Sequence, residues 1–476
     1  MITPKFTCTQ DDESVTVSCY MPSIRASEVE IDVDRTHFSL YVHPYFLRLT
    51  FPQALIEDDD SYARYDPSSA FLNVKLTKED KGVYFPDLDL LSRLLVPPAS
   101  TSQNARGSDD GDISEGVTDS IQGLTLGGRK SSATLEVSSR PLIEVLKSTD
   151  SKEESEDMRL ERLKRERGIF LKAAANDWHY PAPEATEDPT ITLSIKNQYG
   201  FLDAYSGFFK LSSQTGNDVN ELGDLAETIA PSVRTEMRLA HEDEKWDEEY
   251  YIAEFVEDEE IQEIIKWKHP FDDPSQEIEF TDAERDKMLE LPRKEYLPAP
   301  QQTTSLYLTL VSILFSYCYD LRTTQHEPTA ESAWTIATLT PCMSALDVAG
   351  TTVLVRSYRR ALAFPLYRNW LLCERLRKDV ANILAAGQRA VTRALLEAKS
   401  ILEHSDTYYV YSKMWMEDYC VWIQTGASDE ALKKLSRDVT EVKISKSTIG
   451  WPLEELEEAV LDARRGEEPE ADSDDE

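Results

Sequence analysis

Val15-Thr16-Val17-Ser18-Cys19-Tyr20 alternates apolar and polar side chains with a period of two, the pattern of a strand buried on one face only. The alternation returns on the C-terminal side. Val29, Ile31 and Val33 alternate with Glu30 and Asp32, and Phe38-Leu40-Val42 follows the turn residues Asp34-Arg35-Thr36. Leu47-Leu49-Phe51 and Leu72-Val74-Leu76 repeat it. Asp11-Asp12, Pro22-Ser23, His43-Pro44 and Asp66-Pro67 close these runs with residues that favour turns. Short strands at close spacing, with no helical pattern between them, predict an antiparallel β-sandwich over residues 1–96.

Composition changes after Pro97-Pro98. Residues 99–132 are rich in Ser, Gly, Asp and Thr and nearly lack large apolar side chains, so they bury too little surface to offset ordering entropy. Residues 97–150 are therefore expected to be a flexible linker. Helical spacing follows, and residues 151–463 are expected to form a mainly α-helical domain. Ser151 and Glu154 fit a capping box, and Thr281 with Glu284 fits a second, opening a helix that ends before Pro292. Leu306, Leu310, Ile313, Leu314 and Tyr317 recur at helical spacing with apolar residues on other faces, which predicts a central core helix. From Arg368, the series Leu372, Leu376, Val380, Ile383, Leu384, Val391 and Leu395 predicts one long helix or a broken pair. Tyr408 to Trp422 predicts another packed helix. Seven acids crowd the last ten residues, so 464–476 reads as an unstructured acidic tail. The fold class is multi-domain, a sandwich followed by a helical domain.

The chain has 476 residues, with 51 Lys and Arg against 88 Asp and Glu and a formal net charge of −37. A length beyond the roughly 250–300 residues of a single core suits more than one domain. The acidity argues against direct binding to nucleic acid or anionic membrane, since each phosphate contact calls for a Lys or Arg, and it favours a basic protein partner. The apolar stretch Leu306 to Cys318 is shorter than the ~20 residues of a membrane span, and the N-terminus carries no apolar signal core; a soluble intracellular protein is expected. Six scattered cysteines without a C-x-x-C pair read as buried free thiols.

The chemistry of catalysis finds no foothold. No phosphate loop, zinc helix, nucleophile elbow or dinucleotide-binding turn occurs, and the seven histidines are spread singly. The chain is expected to be no enzyme and to carry no catalytic residue, cofactor or metal. Two charge features remain. Between Glu236 and Glu260, twelve acids accompany only Arg238 and Lys245, around Trp246, Tyr250, Tyr251 and Phe255. This run is either a solvated helix face or a set of ordered carboxylates for a basic groove on a partner. From Arg356 to Arg393, nine basic residues face Glu374 and Asp379, and internal balance against the acidic helices is the better reading. Basic residues within Arg159 to Arg167 read as a solvated helix face before an import signal.

Several longer motifs are recognisable. Ile2-Thr3-Pro4-Lys5-Phe6, Gln10-Asp11, Glu30-Ile31-Asp32-Val33, Pro44-Tyr45-Phe46-Leu47-Arg48-Leu49 and Leu88 to Leu95 resemble a CS domain of the variant found in the Shq family of box H/ACA ribonucleoprotein assembly factors. Tyr199-Gly200-Phe201, Pro292 to Leu297, Tyr317 to Thr324, Glu331 to Ile336 and Tyr358 to Trp370 resemble that family's helical domain. The resemblance implies a non-enzymatic assembly chaperone. It would bind the free catalytic subunit of the H/ACA pseudouridine synthase (dyskerin in animals), including its PUA domain, before guide RNA arrives. It would shield the RNA-binding surface as an acidic RNA mimic, acting as a monomer in nucleoplasm and cytoplasm. The alternative is a general CS-type co-chaperone of the ninety-kilodalton heat-shock chaperone.

The candidate partner-binding residues are Glu242, Asp243, Glu244, Trp246, Asp247, Glu248 and Glu249 on the acidic run, and Asp320, Arg322, Thr324, Glu327 and Glu331 within the motifs. For Asp320, Arg322 and Glu331, together with Arg359 and Arg360, buried ion pairing that fixes helix packing competes with partner contact. For Tyr317, Trp334, Tyr367 and Trp370 core packing is the better reading.

Overall fold

In the computed structural model, the period-two segments become two antiparallel sheets. The structure describes residues 2–95 apart from 23, 26–28 and 59, residue 164, residues 198–209, and residues 219–466 apart from 277 and 349. The linker expected over 97–150, the capping box at Ser151 and residues 467–476 lie outside the described residues, as does all but residue 164 of the basic stretch near 160. The tail expected over 464–476 is corrected at its start, because residues 464–466 are the last of a helix running from Leu453 to Gly466.

One sheet orders β1 (Lys5–Gln10), β2 (Ser14–Tyr20), β8 (Phe71–Lys78) and β6 (Leu55–Ile56), with β7 (Tyr62–Asp66) also on β8; the other orders β3 (Glu30–Asp34), β4 (His37–Val42) and β5 (Tyr45–Thr50). Register follows the hydrophobic alternation. Val15 faces Leu76, Val17 faces Val74 and Cys19 faces Leu72, and all six are buried. On the second sheet Phe38 and Leu40 lie opposite Leu49 and Leu47, again buried. A one-residue slip would turn either set outward, so burial fixes the pairing. The short strands β1, β6 and β7 were not evident from alternation. Lys78, a residue type expected at the surface, is buried, its ammonium held by Gln10 Oε1 and by the carbonyls of Asp11 and Val83.

The strands end at α1 (Leu91–Leu95), and the helical part begins in earnest at α2 (Pro231–Lys245). It continues through α3 (Glu248–Val256), α4 (Glu259–Lys266), α5 (Asp282–Glu290), α6 (Pro300–Thr323), α7 (Ser332–Leu339) and α8 (Val353–Ala363). After these come α9 (Trp370–Ala385), α10 (Gln388–Glu403), a π-helical turn (Ser412–Met416) leading into α11 (Glu417–Thr425), α12 (Asp429–Glu441) and α13 (Leu453–Gly466).

Local chemistry accounts for the helix ends. Thr281 accepts from the Glu284 backbone and the Glu284 carboxylate returns to the Thr281 N–H, so the capping box at α5 is complete. The series from Arg368 is a broken pair, because Gly387 between α9 and α10 has φ 85° and ψ −166°, a conformation open to glycine alone. Helix α6 is long and apolar enough to cross a membrane by length and composition, yet 78% of that window is buried inside the protein, in contact with α7, α8 and α9. It is the central core helix its spacing predicted.

Sandwich and helices meet directly. Helix α1 packs on α5 and α11, the buried Ser92 N–H donates to Gln424 Oε1 at 3.1 Å, and Arg389 on α10 donates to Asp89 Oδ1 at 2.8 Å. The six cysteines are free thiols, with Cys8 half-buried and the others buried.

A candidate partner interface and the ion pairs beneath it

The acidic run folds as α2, a corner, and α3, and its side chains divide sharply between inside and outside. Glu242 faces inward with no exposure. It pairs with Arg238 one turn earlier on α2, and Arg359 Nε on α8 donates to its Oε2 at 2.7 Å. Arg360 Nη1 lies 3.5 Å from Glu242 Oε1 and also pairs with Glu221. Arg238 Nε and Arg356 Nη1 converge on Asp347 Oδ2 at 2.8 and 2.9 Å. This network welds α2 to α8, since charges so deeply buried must be paired.

Aromatic contacts seal the corner. Trp246 stacks on Trp451 with ring centres 4.4 Å apart and planes 8° from parallel, and the Arg359 guanidinium lies 4.3 Å over Trp451. Trp451 Nε1 and Arg359 Nη2 both donate to Asp243 Oδ1, at 3.0 and 2.6 Å, although the Asp243 side chain is 61% exposed. Asp247 is the N-cap of α3 and accepts from the Tyr250 N–H at 3.0 Å. Glu248 and Glu249 follow in the first turn, where carboxylates complement the helix dipole, and both are exposed. Glu244 is exposed beside His241.

Helix α13 runs alongside α3. Tyr251 Oη donates to Glu457 Oε1 at 2.6 Å, and Arg464 Nη2 donates to the Val256 carbonyl at 2.8 Å, so the two helices are parallel. Its carboxylates Glu454, Glu455 and Glu458 are exposed, as are Glu244, Asp247, Glu248 and Glu249. The sequence reading passed over them; the signal was there in Leu453-Glu454-Glu455-Leu456-Glu457-Glu458, where apolar residues recur three apart on an otherwise acidic helix.

The second group of candidates separates differently. Arg322 and Asp320 are buried and face no solvent, which corrects their assignment to a contact surface; Glu242 is corrected on the same ground, and Trp246 is held in a ring stack. Arg322 pairs with Asp379, as the ion-pair reading held. Asp320 is buried without an arginine or lysine partner among the described residues; burial pushes its carboxyl up to about 6, against a Ser332 hydrogen bond that lowers it. Thr324 is half-buried and its hydroxyl donates to the Asp320 carbonyl at 2.7 Å. Glu327 and Glu331 are exposed. Tyr317 is buried, whereas Trp334, Tyr367 and Trp370 are half-buried.

Nearly all the basic residues between Arg356 and Arg393 are engaged internally. Arg356, Arg359, Arg360, Arg375, Arg377, Arg389 and Arg393 each pair with a carboxylate, and Arg368 lies 4.4 Å over the Tyr250 ring. Lys378 is exposed. The arginines between 356 and 393 thus hold helices together, and carboxylates remain on the exterior of the α2–α3 corner. No group of three or more His, Cys, Asp and Glu side chains placed to hold a metal ion occurs among the described residues.

Comparison with known proteins gives two family matches, one described as SHQ1-like, CS domain, over residues 3–95, and one as SHQ1 protein, Shq1 domain, over residues 269–453. Protein shq1 of Schizosaccharomyces pombe is 35% identical, over 99% of this chain and 99% of that protein. Protein SHQ1 homolog of Xenopus tropicalis is 32% identical over 97% of this chain and 70% of its own length, and the Mus musculus homolog is 29% identical over 97% and 75%.

Proposed function

Because the chain belongs to the SHQ1 family, we propose that it is a non-enzymatic assembly factor for box H/ACA ribonucleoproteins, and that it holds the free pseudouridine synthase catalytic subunit until guide RNA arrives. In this reading the acidic exterior occupies the RNA-binding surface of the synthase, including its PUA domain, in place of phosphates. The observation that carries it is the sorting of charge at the α2–α3 corner. Arg359 and Arg360 are drawn inward onto Glu242 and Glu221, while Glu244, Asp247, Glu248 and Glu249 stay exposed, as do Glu454, Glu455 and Glu458 on α13.

An RNA-gripping enzyme carries a lysine- and arginine-rich face that would otherwise collect non-specific RNA. Fixed carboxylates on a rigid corner match that face, and a net charge of −37 steers the encounter. Nucleoplasm and cytoplasm are where such a factor would meet newly made synthase.

The test is binding of the full chain to the purified catalytic subunit across a salt series, with guide RNA as competitor. Affinity is expected to fall as salt rises, because exposed charges are screened beyond about 8 Å at physiological ionic strength. The triple variant Glu244→Gln, Glu248→Gln, Glu249→Gln should flatten that dependence. Affinity that ignores salt, RNA and the triple variant alike would overturn the mimicry.

A further inference from the structure

The connection between α8 and α9 contains Pro365-Leu366-Tyr367-Arg368-Asn369, a strap whose backbone is pinned by side chains along its length. Tyr250 Oη on α3 donates to the Leu366 carbonyl at 2.7 Å. The buried Tyr319 on α6 holds the next residue from both sides, its Oη accepting the Tyr367 N–H and donating to the Tyr367 carbonyl, each at 3.0 Å. Arg368 Nε donates to the Pro365 carbonyl at 3.1 Å, and Asn369 caps α9 by accepting the Leu371 N–H at 2.8 Å. Pro365 and Asn369 are buried, yet Leu366 between them is 65% exposed. An exposed leucine is ordinary on a protein surface; one held outward by a strap so fully fixed is not.

The residues around Leu366 suit a contact centre. Tyr367 Oη donates to Glu260 Oε1 at 2.6 Å, and the Arg368 guanidinium lies 4.4 Å over the Tyr250 ring. Tyr250, Tyr367 and Arg368 are half-buried, and tyrosine and arginine are the residue types that dominate binding hot spots. Held in place before any partner arrives, they and Leu366 lose little freedom on association. Carboxylates stand beside them. Glu260 is exposed at the start of α4. Glu254 on α3 is half-buried, and burial and the Glu260 charge push its carboxyl up against the lowering effect of Arg368. Tyr250 directly follows Glu248 and Glu249 on α3, so the strap lies against the helix that carries them.

We infer that Leu366 is an apolar anchor of the partner interface, seated in an apolar socket rimmed by lysine and arginine on the basic face of the synthase subunit; this rests on the assembly-factor reading above. Charge selects that occupant. Glu254 and Glu260 beside the strap favour a cationic edge around the socket, and a second copy of a chain of net charge −37 would be repelled. Burial of Leu366 supplies binding that salt does not screen, whereas the exposed carboxylates supply the part that salt removes.

The test measures the affinity of the full chain for the purified catalytic subunit across a salt series. Leu366→Ala and Leu366→Gln should each weaken binding about tenfold at every salt, leaving the slope of log Kd against log salt as in the wild type. Leu366→Met, which keeps the apolar volume, should stay within about threefold. The strap is held through its backbone and the side chain is exposed, so the thermal midpoint of these variants should not move. The triple variant Glu244→Gln, Glu248→Gln, Glu249→Gln should change the slope instead, and so reports on the charge reading alone. Wild-type binding that survives both Leu366→Ala and Leu366→Gln, or a loss confined to low salt, would overturn the anchor and leave the charge reading in place. Absence of binding by the wild type would overturn both. Light scattering that shows the chain pairing with itself, with the pairing lost in Leu366→Ala, would assign Leu366 to a second copy and likewise overturn the inference.

Discussion

The Asp379 carboxylate lies across the Nε and Nη2 edge of Arg322, at 2.7 and 2.9 Å, with both side chains wholly removed from solvent. The pair links α6 to α9, and the Nη1 of Arg322 reaches on to the last carbonyls of α4, so three helices depend on one guanidinium. Removing one partner leaves a buried charge uncompensated. Arg322→Met or Asp379→Asn should each lower stability by about 3–5 kcal/mol, whereas replacing both by apolar residues should restore much of the loss. Urea unfolding followed by tryptophan fluorescence measures all three.

Two residues away, Asp320 is buried without the arginine that Asp379 has. Its carboxyl is raised to about 6 in the fold by burial, above the ordinary carboxylate value near 3.9. The folded state therefore favours the protonated form. The associated stability is complete below about pH 4 and is lost as pH rises through about 6, a loss of about 3 kcal/mol. Asp320→Asn, which fixes the neutral shape, should exceed the wild type in stability at pH 7.5 and match it at pH 4. Paired urea titrations at the two pH values check the sign.

Gly387 offers a prediction from backbone geometry. A Cβ there would lie 2.6 Å from Asp429 Oδ1, the same oxygen that accepts the Gln388 N–H at 2.7 Å, and the φ of 85° is strained for any other residue. Gly387→Ala should cost on the order of 1–3 kcal/mol, read as a lowered thermal midpoint. The difference between Asp429→Ala and the double variant Asp429→Ala, Gly387→Ala isolates the backbone share, since both lack the clash and the Gln388 acceptor.

The strands that alternate were legible because one face of each is turned away from solvent, fully at Val15, Val17 and Cys19 and partly at Ile31 and Val33; β1 and β7 were not, since Lys5–Gln10 buries only Phe6 and Tyr62–Asp66 is exposed or half-buried throughout. Helix ends with a chemical marker, such as Thr281 and Glu284, were equally readable. What pattern could not supply was the facing of charged residues. Glu242 and Glu244 are two apart on one acidic helix, yet one is buried among arginines and the other points outward. That outcome depends on Arg359 and Arg360, more than a hundred residues downstream, reaching back to α2. The burial of Arg234 was invisible for the same reason, because the carbonyls of Leu346 and Gln198 that accept from it are brought beside it only by the fold.

The seam between the sandwich and the helices rests on contacts of unequal strength. Lys5 and Asp286 form an ion pair whose side chains are 63% and 40% exposed, so Asp286→Asn should change stability by no more than about 1 kcal/mol. Gln424 is different. It has no exposure, its Oε1 accepts the buried Ser92 N–H at 3.1 Å, and its Nε2 donates to the Cys420 carbonyl at 2.9 Å. Gln424→Leu leaves that N–H without an acceptor in a place water does not reach, a cost of about 1–3 kcal/mol. The loss should fall on the docking of α1 rather than on the strands. Hydrogen exchange should therefore quicken at Leu91–Leu95 while β2 and β8 keep their protection. Equal loss of protection across α1 and both strands would mean that the sandwich has no stability of its own apart from the seam.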